Sequence, residues 1–267
     1  MCGIAGLLVC PRRSVPGTRQ IQSVLDEMVG ALTHRGPDDR GSHIVSPVPG
    51  RPEITDTGMP VVGFVHTRLA ILDLSSAGHQ PMEDPATGNW ITYNGEIYNF
   101  GALREQFVLT PQLSAFSRTG WASQTDTEVI LKAYARWGRE SVVHLRGMFA
   151  FGLWDAQRQE LFLARDRLGV KPLYYYSGDG FFLFASEVRA LLASGPVPRR
   201  LDPLALWHYL AYQAVPAPRT FIEGVHMLPP GCWLAVDAQG SITEKHYWDL
   251  LENAWPGGRT VQRPRVG

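Results

Sequence analysis

Two hydrophobic periods take turns along this chain. Residues 3–9 form a short apolar run broken by Pro11, which predicts a strand buried in a sheet. Ile21, Val24, Leu25, Met28, Val29 and Leu32 then recur at three- and four-residue steps, a helical period that ends near His34, where Gly36 and Pro37 stop it. Strand-type runs follow at 61–66, 69–72 and 90–93. Asn99 can cap a helix through Phe107, and Thr125 with Glu128 makes a capping box for a helix carrying Val129, Ile130, Ala133 and Trp137. Further strands are expected at 148–154, 160–164, 173–176 and 181–184. The last two are joined across Gly178-Asp179-Gly180 as a hairpin. Helices at 186–192 and 203–212 close the periodic part. The segments 46–60 and 109–124 lack a period and read as exposed loops; from Asn253 onward the chain reads as a disordered end. Helices and strands mix without a regular βαβ rhythm, an order that two β-layers bracketed by helices accommodate.

Composition narrows the classes. An apolar share of 45% with 10% aromatics in 267 residues is ample for a buried core. Lys plus Arg and Asp plus Glu are equal at 25 each, so no global field draws the chain to nucleic acid or an anionic membrane. Three cysteines, Cys2, Cys10 and Cys232, are odd in number and widely spaced, which suits neither a disulfide framework nor a zinc motif and points to a reducing cytoplasm. The first apolar run has no basic residues before it and is too short to span a bilayer.

Cys2 is the first candidate for chemistry. Initiator methionine is generally removed before a small residue, which would leave a thiol and a free α-amine on one residue. Their unperturbed pKa values, about 8.5 and about 7.7 to 8.0, let the amine take the thiol proton near neutral pH. The competing reading is a small hydrophobe packed at a strand start. On position alone both stand.

Motifs elsewhere bear on the choice: MCGIAG at the start, HRGPDD from His34, HTRLAILD from His66, GHQPM from Gly78, YNGEIYN from Tyr93, TDTEVI from Thr125, RDRLGVKPLYY from Arg165 and FASEVRALL from Phe184. Together they resemble the glutaminase domain of glutamine-hydrolysing asparagine synthetases, a class II glutamine amidotransferase of the N-terminal-nucleophile (Ntn) hydrolase type. The resemblance spans Cys2 to about Leu192 and implies an α+β fold, a four-layer αββα sandwich. It implies that Cys2 attacks the side-chain amide of L-glutamine, giving a thioester and ammonia, and that Asn94 and Gly95 face the oxyanion. It implies a substrate pocket with Arg68 on the α-carboxylate, Asp126 helped by Glu96 on the α-ammonium, and backbone groups of Leu69, Ile71 and Leu72 completing the wall. Asn94-Gly95 taken alone would read as a turn. Arg35, the cluster at 165–167, and His34, His66 and His79 are taken as structural.

The family continues into a synthetase domain that activates aspartate with ATP, and its serine-glycine-glycine loop is not in this sequence. The expected organisation is a glutaminase domain at 2–192, a linker segment at 193–250 and a tail at 251–267. No cofactor is expected in this chain, since ATP and Mg would belong to the synthetase domain, and no metal site is expected. The expected partners are L-glutamine and a separate synthetase domain or subunit, unless the sequence is a truncated or frameshifted product. Two rival readings remain: a non-catalytic docking or regulatory remnant, and a papain-like hydrolase pairing Cys2 with a distant histidine.

Overall fold

Alternation along each strand sorts the apolar side chains into three cores, which fixes the number of layers. The computed structural model describes residues 1–10, 18–45, 60–71, 73, 75–109, 120–178 and 180–251. The elements are β1 (Gly3–Val9), α1 (Thr18–Ala31), β2 (Asp39–Val45), β3 (Val61–Arg68), β4 (Met82–Asp84), β5 (Asn89–Ile97), α2 (Phe100–Leu109), α3 (Asp126–Trp137), α4 (Ser141–His144), β6 (Gly147–Asp155), β7 (Glu160–Arg165), β8 (Tyr174–Gly178), β9 (Phe181–Ala185), α5 (Val188–Ala193), α6 (Pro203–Tyr212), β10 (Val225–Met227), β11 (Cys232–Asp237) and β12 (Ile242–His246).

The strands form two six-stranded sheets, ordered β10-β8-β9-β1-β3-β2 and β12-β11-β7-β6-β5-β4. All their pairings are antiparallel. Side chains of period two point to opposite faces of a strand. On β1, Ile4 and Leu8 enter the core between the sheets, while Ala5, Leu7 and Val9 enter a second core beneath α1 and α5. On β6, Ala150 and Trp154 face the other sheet, while Phe149, Phe151 and Leu153 pack under α2 and α3. Both sheets are therefore apolar on both faces, and each outer face is closed by helices. This is the expected four-layer αββα sandwich.

Several local expectations are corrected. The strand expected at 69–72 is not formed by residues 69–71, and Leu72 lies outside the described residues. β3 ends at Arg68 because its ladder partners end there too, β1 at Gly3 opposite Thr67 and β2 at Asp39 opposite Arg68. Asn94-Gly95 is not a turn; it sits inside β5, paired with Ala150 and Phe149. Glycine is required there, since a Cβ on Gly95 would lie 2.3 Å from the Met148 carbonyl and 2.7 Å from Phe149 Cα. Asn99 does not cap α2 with its side chain; its amide accepts from Arg146 N at 2.9 Å and donates to His144 O at 3.0 Å. Thr125 does cap α3, but Glu128 turns to Ala122 N and Ser123 N instead of reaching back. The expected linker segment after 192 contributes β10, β11 and β12 to the two sheets, with the Cys232–Val236 side chains buried. The family motifs thin out there, whereas 232–236 is an unbroken apolar run, as a strand buried on both faces requires. The loops at 46–59 and 110–119 and the tail from 252 lie outside the described residues.

Candidate active site

Cys2 sits where β1 begins, and three side-chain contacts hold its backbone and those of its neighbours, one of them from an arginine that is itself ion-paired. Arg35 Nε donates to the Cys2 carbonyl at 2.8 Å, and Arg35 Nη1 pairs with Glu187 at 2.8 Å. Gly3 N donates to Thr67 Oγ1 at 3.1 Å, and Ile4 N donates to Ser186 Oγ at 3.1 Å. HRGPDD and FASEVRALL thus meet at the chain start. Arg35 and Glu187 act as its anchor, in agreement with a structural reading of Arg35. The Cys2 sulfur accepts from Leu69 N at 3.3 Å. Burial pushes the thiol above its ordinary range, partly offset by the Leu69 N–H and by positive charge on the N-terminus, Arg68 and Lys171.

The sulfur opens on a cavity of about 220 Å³ lined by Cys2, Arg68, Leu69, Ile71, Asn94, Gly95, Glu96 and Asp126. Eight of the nine expected site residues therefore come together; the ninth, Leu72, lies outside the described residues. The volume is several times the roughly 30 Å³ share of one water. Met1 also lines the cavity and is 58% exposed.

Each wall has a local cause. Beyond Ile91, β5 has no strand partner on the side opposite β6, because β4 pairs only with 89–91. Tyr93 N donates across that open edge to Gln80 Oε1 at 2.7 Å, and Ile97 N donates to Asp126 Oδ2 at 2.9 Å. Backbone N–H directions alternate along a strand, so the Gly95 N–H, midway between them, points to the same edge. Asn94 is 1% exposed, and among the described residues nothing accepts from its Nδ2. An unsatisfied buried donor costs about 1 to 3 kcal/mol, so its presence in a cavity wall calls for an explanation.

The charged residues are also held. Arg68 Nη1 donates to Ser75 O at 3.0 Å and Nη2 to Asp73 O. Gly78 makes room for that guanidinium, since a Cβ there would lie 2.0 Å from Arg68 Nη2. Asp126, at the start of α3, accepts from Tyr93 Oη at 2.6 Å. Burial holds its carboxyl above the usual range, with Glu96 adding to the rise, while the Tyr93 and Ile97 bonds oppose it.

Gln80, Tyr93, Thr127 and Lys171 also line the cavity, and sequence reading assigned none of them. Each lies in one of the quoted motifs, GHQPM, YNGEIYN, TDTEVI or RDRLGVKPLYY, which is the signal that could have found it. Arg165 and Asp166 do not line it. Arg165 donates to the carbonyls of Lys171, Leu228 and Gly169, while Asp166 accepts from the backbone N–H of Leu168, Val170 and Lys171. They shape the loop that presents Lys171. His66 is fully buried against Thr92 at 3.2 Å, and burial lowers its pKa to about 3, so it stays neutral. His34 and His79 pair with Glu187 and Asp39.

A family model described as a glutamine amidotransferase domain matches residues 1–248. The amidase chyE of Penicillium rubens is 35% identical over 260 residues, covering 94% of this chain and 34% of that protein. Asparagine synthetase [glutamine-hydrolyzing] 3 of Bacillus subtilis is 36% identical over 256 residues, covering 94% of this chain and 37% of that protein. The chain thus spans about a third of the length of these relatives. Among solved structures, glutamine phosphoribosylpyrophosphate amidotransferase from B. subtilis superposes with a TM-score of 0.58 at 17% identity, over 91% of this chain and 49% of that one. At that identity the likeness speaks to fold, and it agrees with the αββα layering. With the family model covering nearly the whole chain, this protein belongs to the class II glutamine amidotransferase domains.

Proposed function

We propose that this chain hydrolyses L-glutamine to glutamate and ammonia with Cys2 as nucleophile, as the ammonia-donating part of a glutamine-hydrolysing asparagine synthetase-like system in the cytoplasm. The observation that carries this reading is the shared cavity: a sulfur at its wall together with a buried amide donor on Asn94 that has no acceptor among the described residues. In this reading, removal of Met1 frees the Cys2 amine, which takes the thiol proton. The thiolate adds to the amide carbon of glutamine, and Asn94 Nδ2 with the Gly95 N–H stabilises the oxyanion. The same proton passes to the departing nitrogen, ammonia leaves and a thioester remains. Water, deprotonated by the amine, then adds to the thioester, and collapse returns the thiol and releases glutamate.

Arg68 would hold the α-carboxylate, and Asp126 with Glu96 the α-ammonium; Leu69, Ile71 and Leu72 would complete the wall. Gly78→Ala tests the first assignment without touching a charge. The added methyl displaces the Arg68 guanidinium, so KM for glutamine should rise roughly tenfold to a hundredfold, the worth of hydrogen bonds to a charged group, with kcat nearly kept. An unchanged KM would remove Arg68 from the pocket.

Asp126 gives a pH signature. Its carboxyl must be ionised to hold an ammonium, and its folded-state pKa lies above the ordinary value of about 3.9. Glutamine binding should therefore weaken on acidification at a pH above the usual carboxylate range. Glu96→Gln removes a charge that raises Asp126, so this acid limb should move to lower pH. For stability the sign is reversed: a raised carboxyl favours the fold below its unfolded pKa, and that contribution fades as pH rises through the folded one. KM measured against pH in both proteins decides this, and a limb that stays in place counts against Asp126.

The decisive assay is glutamate release from L-glutamine by the purified chain, with its N-terminus read by mass spectrometry. Release supports the enzyme; tight binding without release in chain lacking Met1 supports a docking or regulatory remnant. The acceptor half is a separate synthetase domain or subunit, to which ATP and Mg would belong. With that partner, aspartate and ATP, asparagine should form at the expense of free ammonia. Among the described residues, no helix is long and apolar enough to cross a membrane.

A further inference from the structure

The register of β11 against β12 sets Cys232 directly across from His246, and Leu234 across from Glu244. Cross-strand partners share a face, as do residues two apart. Cys232, Glu244 and His246 therefore share the face that Cys232 and Leu234 turn toward the inter-sheet core. The Cys232 sulfur, a Glu244 carboxylate oxygen and a His246 ring nitrogen all lie within 4.8 Å of one another. β12 is the outermost strand of its sheet and is exposed along its length, whereas Cys232 is fully buried. Charged residues commonly guard an edge strand against pairing with another chain; here a carboxylate and an imidazole also converge on a buried thiol.

We propose that Cys232, Glu244 and His246 bind a divalent transition-metal ion of the zinc class, at a site that shares no residue with the glutamine cavity. One thiolate, one imidazole and one carboxylate form a mixed soft and borderline donor set that suits zinc and disfavours magnesium or calcium. Tetrahedral ligands at zinc lie roughly 3.3 to 3.6 Å apart, given Zn–S of about 2.3 Å and Zn–N of about 2.0 Å. Closing from the present spacing takes about an ångström of side-chain movement, which exposed glutamate and histidine rotamers on an edge strand can supply.

Two neighbours fit the assignment. The Tyr175 phenol lies against Glu244 and can orient the ligand oxygen, as outer partners of metal ligands do. The Arg165 guanidinium, bonded to three carbonyls, is close enough to Cys232 to feel a charge there. Its positive charge would stabilise the negative sulfur of a metal-bound thiolate. On binding, the thiol gives its proton to solvent, one per ion. The bound ion would staple the edge strand β12 to β11, beyond what the ladder alone provides.

The test uses untagged chain stripped with a chelator and titrated with Co²⁺. The expected result is one ion per chain, with a sulfur-to-cobalt charge-transfer band, displaced by Zn²⁺. Zn²⁺ should raise the melting temperature of the same chain. Cys2→Ala should keep the band, which separates this site from the other accessible thiol. His246→Ala and Glu244→Gln, both on the exposed strand, should lose the band and the thermal shift while keeping glutamate release. Cys232→Ser alters the core, so the two exposed variants carry the test. A wild-type chain without the band, a band that survives His246→Ala, or one that vanishes in Cys2→Ala would each overturn the proposal. None of these readouts depends on glutamine turnover.

Discussion

Chain that retains Met1 is expected to fold normally and release no glutamate above background, and Cys2→Ala is expected to be equally silent. The reason lies in the proton inventory around the sulfur. Burial raises the Cys2 thiol, and the neighbouring Leu69 N–H and cations recover only part of that rise. A thiol in that state needs a base at contact distance; His66 is engaged with Thr92 and buried, and no histidine is among the described residues that line the cavity. The α-amine of Cys2 supplies the base only once the peptide bond to Met1 is cut. With Met1 attached the nitrogen is an amide, which is not basic. The check is to express the chain in a strain that processes Met1 and in one that does not. N-terminal masses and glutamate release are then compared, with urea unfolding to confirm equal stability. Full activity in the retained form would sink the amine mechanism and favour a cysteine–histidine pair instead.

Asn94→Ala should lower kcat by about 10² to 10³, the cost of one oxyanion donor of about 2.7 to 4 kcal/mol. KM should change little, because the donor is needed when charge develops on the oxygen. The stability outcome separates this role from a structural one. Asn94 Nδ2 is buried with no acceptor among the described residues, so deleting it removes a desolvated donor whose penalty is about 1 to 3 kcal/mol, against a loss of packing of similar size. The net change in unfolding free energy should stay within about 1 kcal/mol. A structural asparagine would behave the other way, with turnover kept within a few fold and stability clearly reduced.

Much of this architecture was legible because both periods are strong. The i, i+3, i+4 rows of 21–32 suit a helix with one buried face, and the unbroken apolar runs of 148–154 and 181–184 suit strands covered on both faces. The candidate cavity was legible for a different reason. Its residues sit in short motifs such as HTRLAILD and YNGEIYN, and the resemblance of those motifs to a known family, not their charge or amide chemistry taken singly, implied their roles. The failures share a cause as well. Asn-Gly signals a turn in isolation, yet at 94–95 the glycine answers to the close approach of Met148 and Phe149, partners more than fifty positions away. Asn99 carried a capping signal, and a loop more than forty positions on claimed its side chain instead.

By itself, the sequence determined most element types and the set of chemically distinctive residues, because period and residue type are local properties; the layering was implied by the family resemblance. Only the tertiary structure decided which edges stay open and which strands stand opposite one another. The Gly95 N–H faces the cavity because β4 is too short to cover β5, and that depends on sheet order. Gly78 is set by the space that Arg68 fills, and Cys232 meets His246 through the β11–β12 register. Spacing along the chain carries no trace of such pairings, since register is fixed by hydrogen bonds between strands that the linear order merely allows.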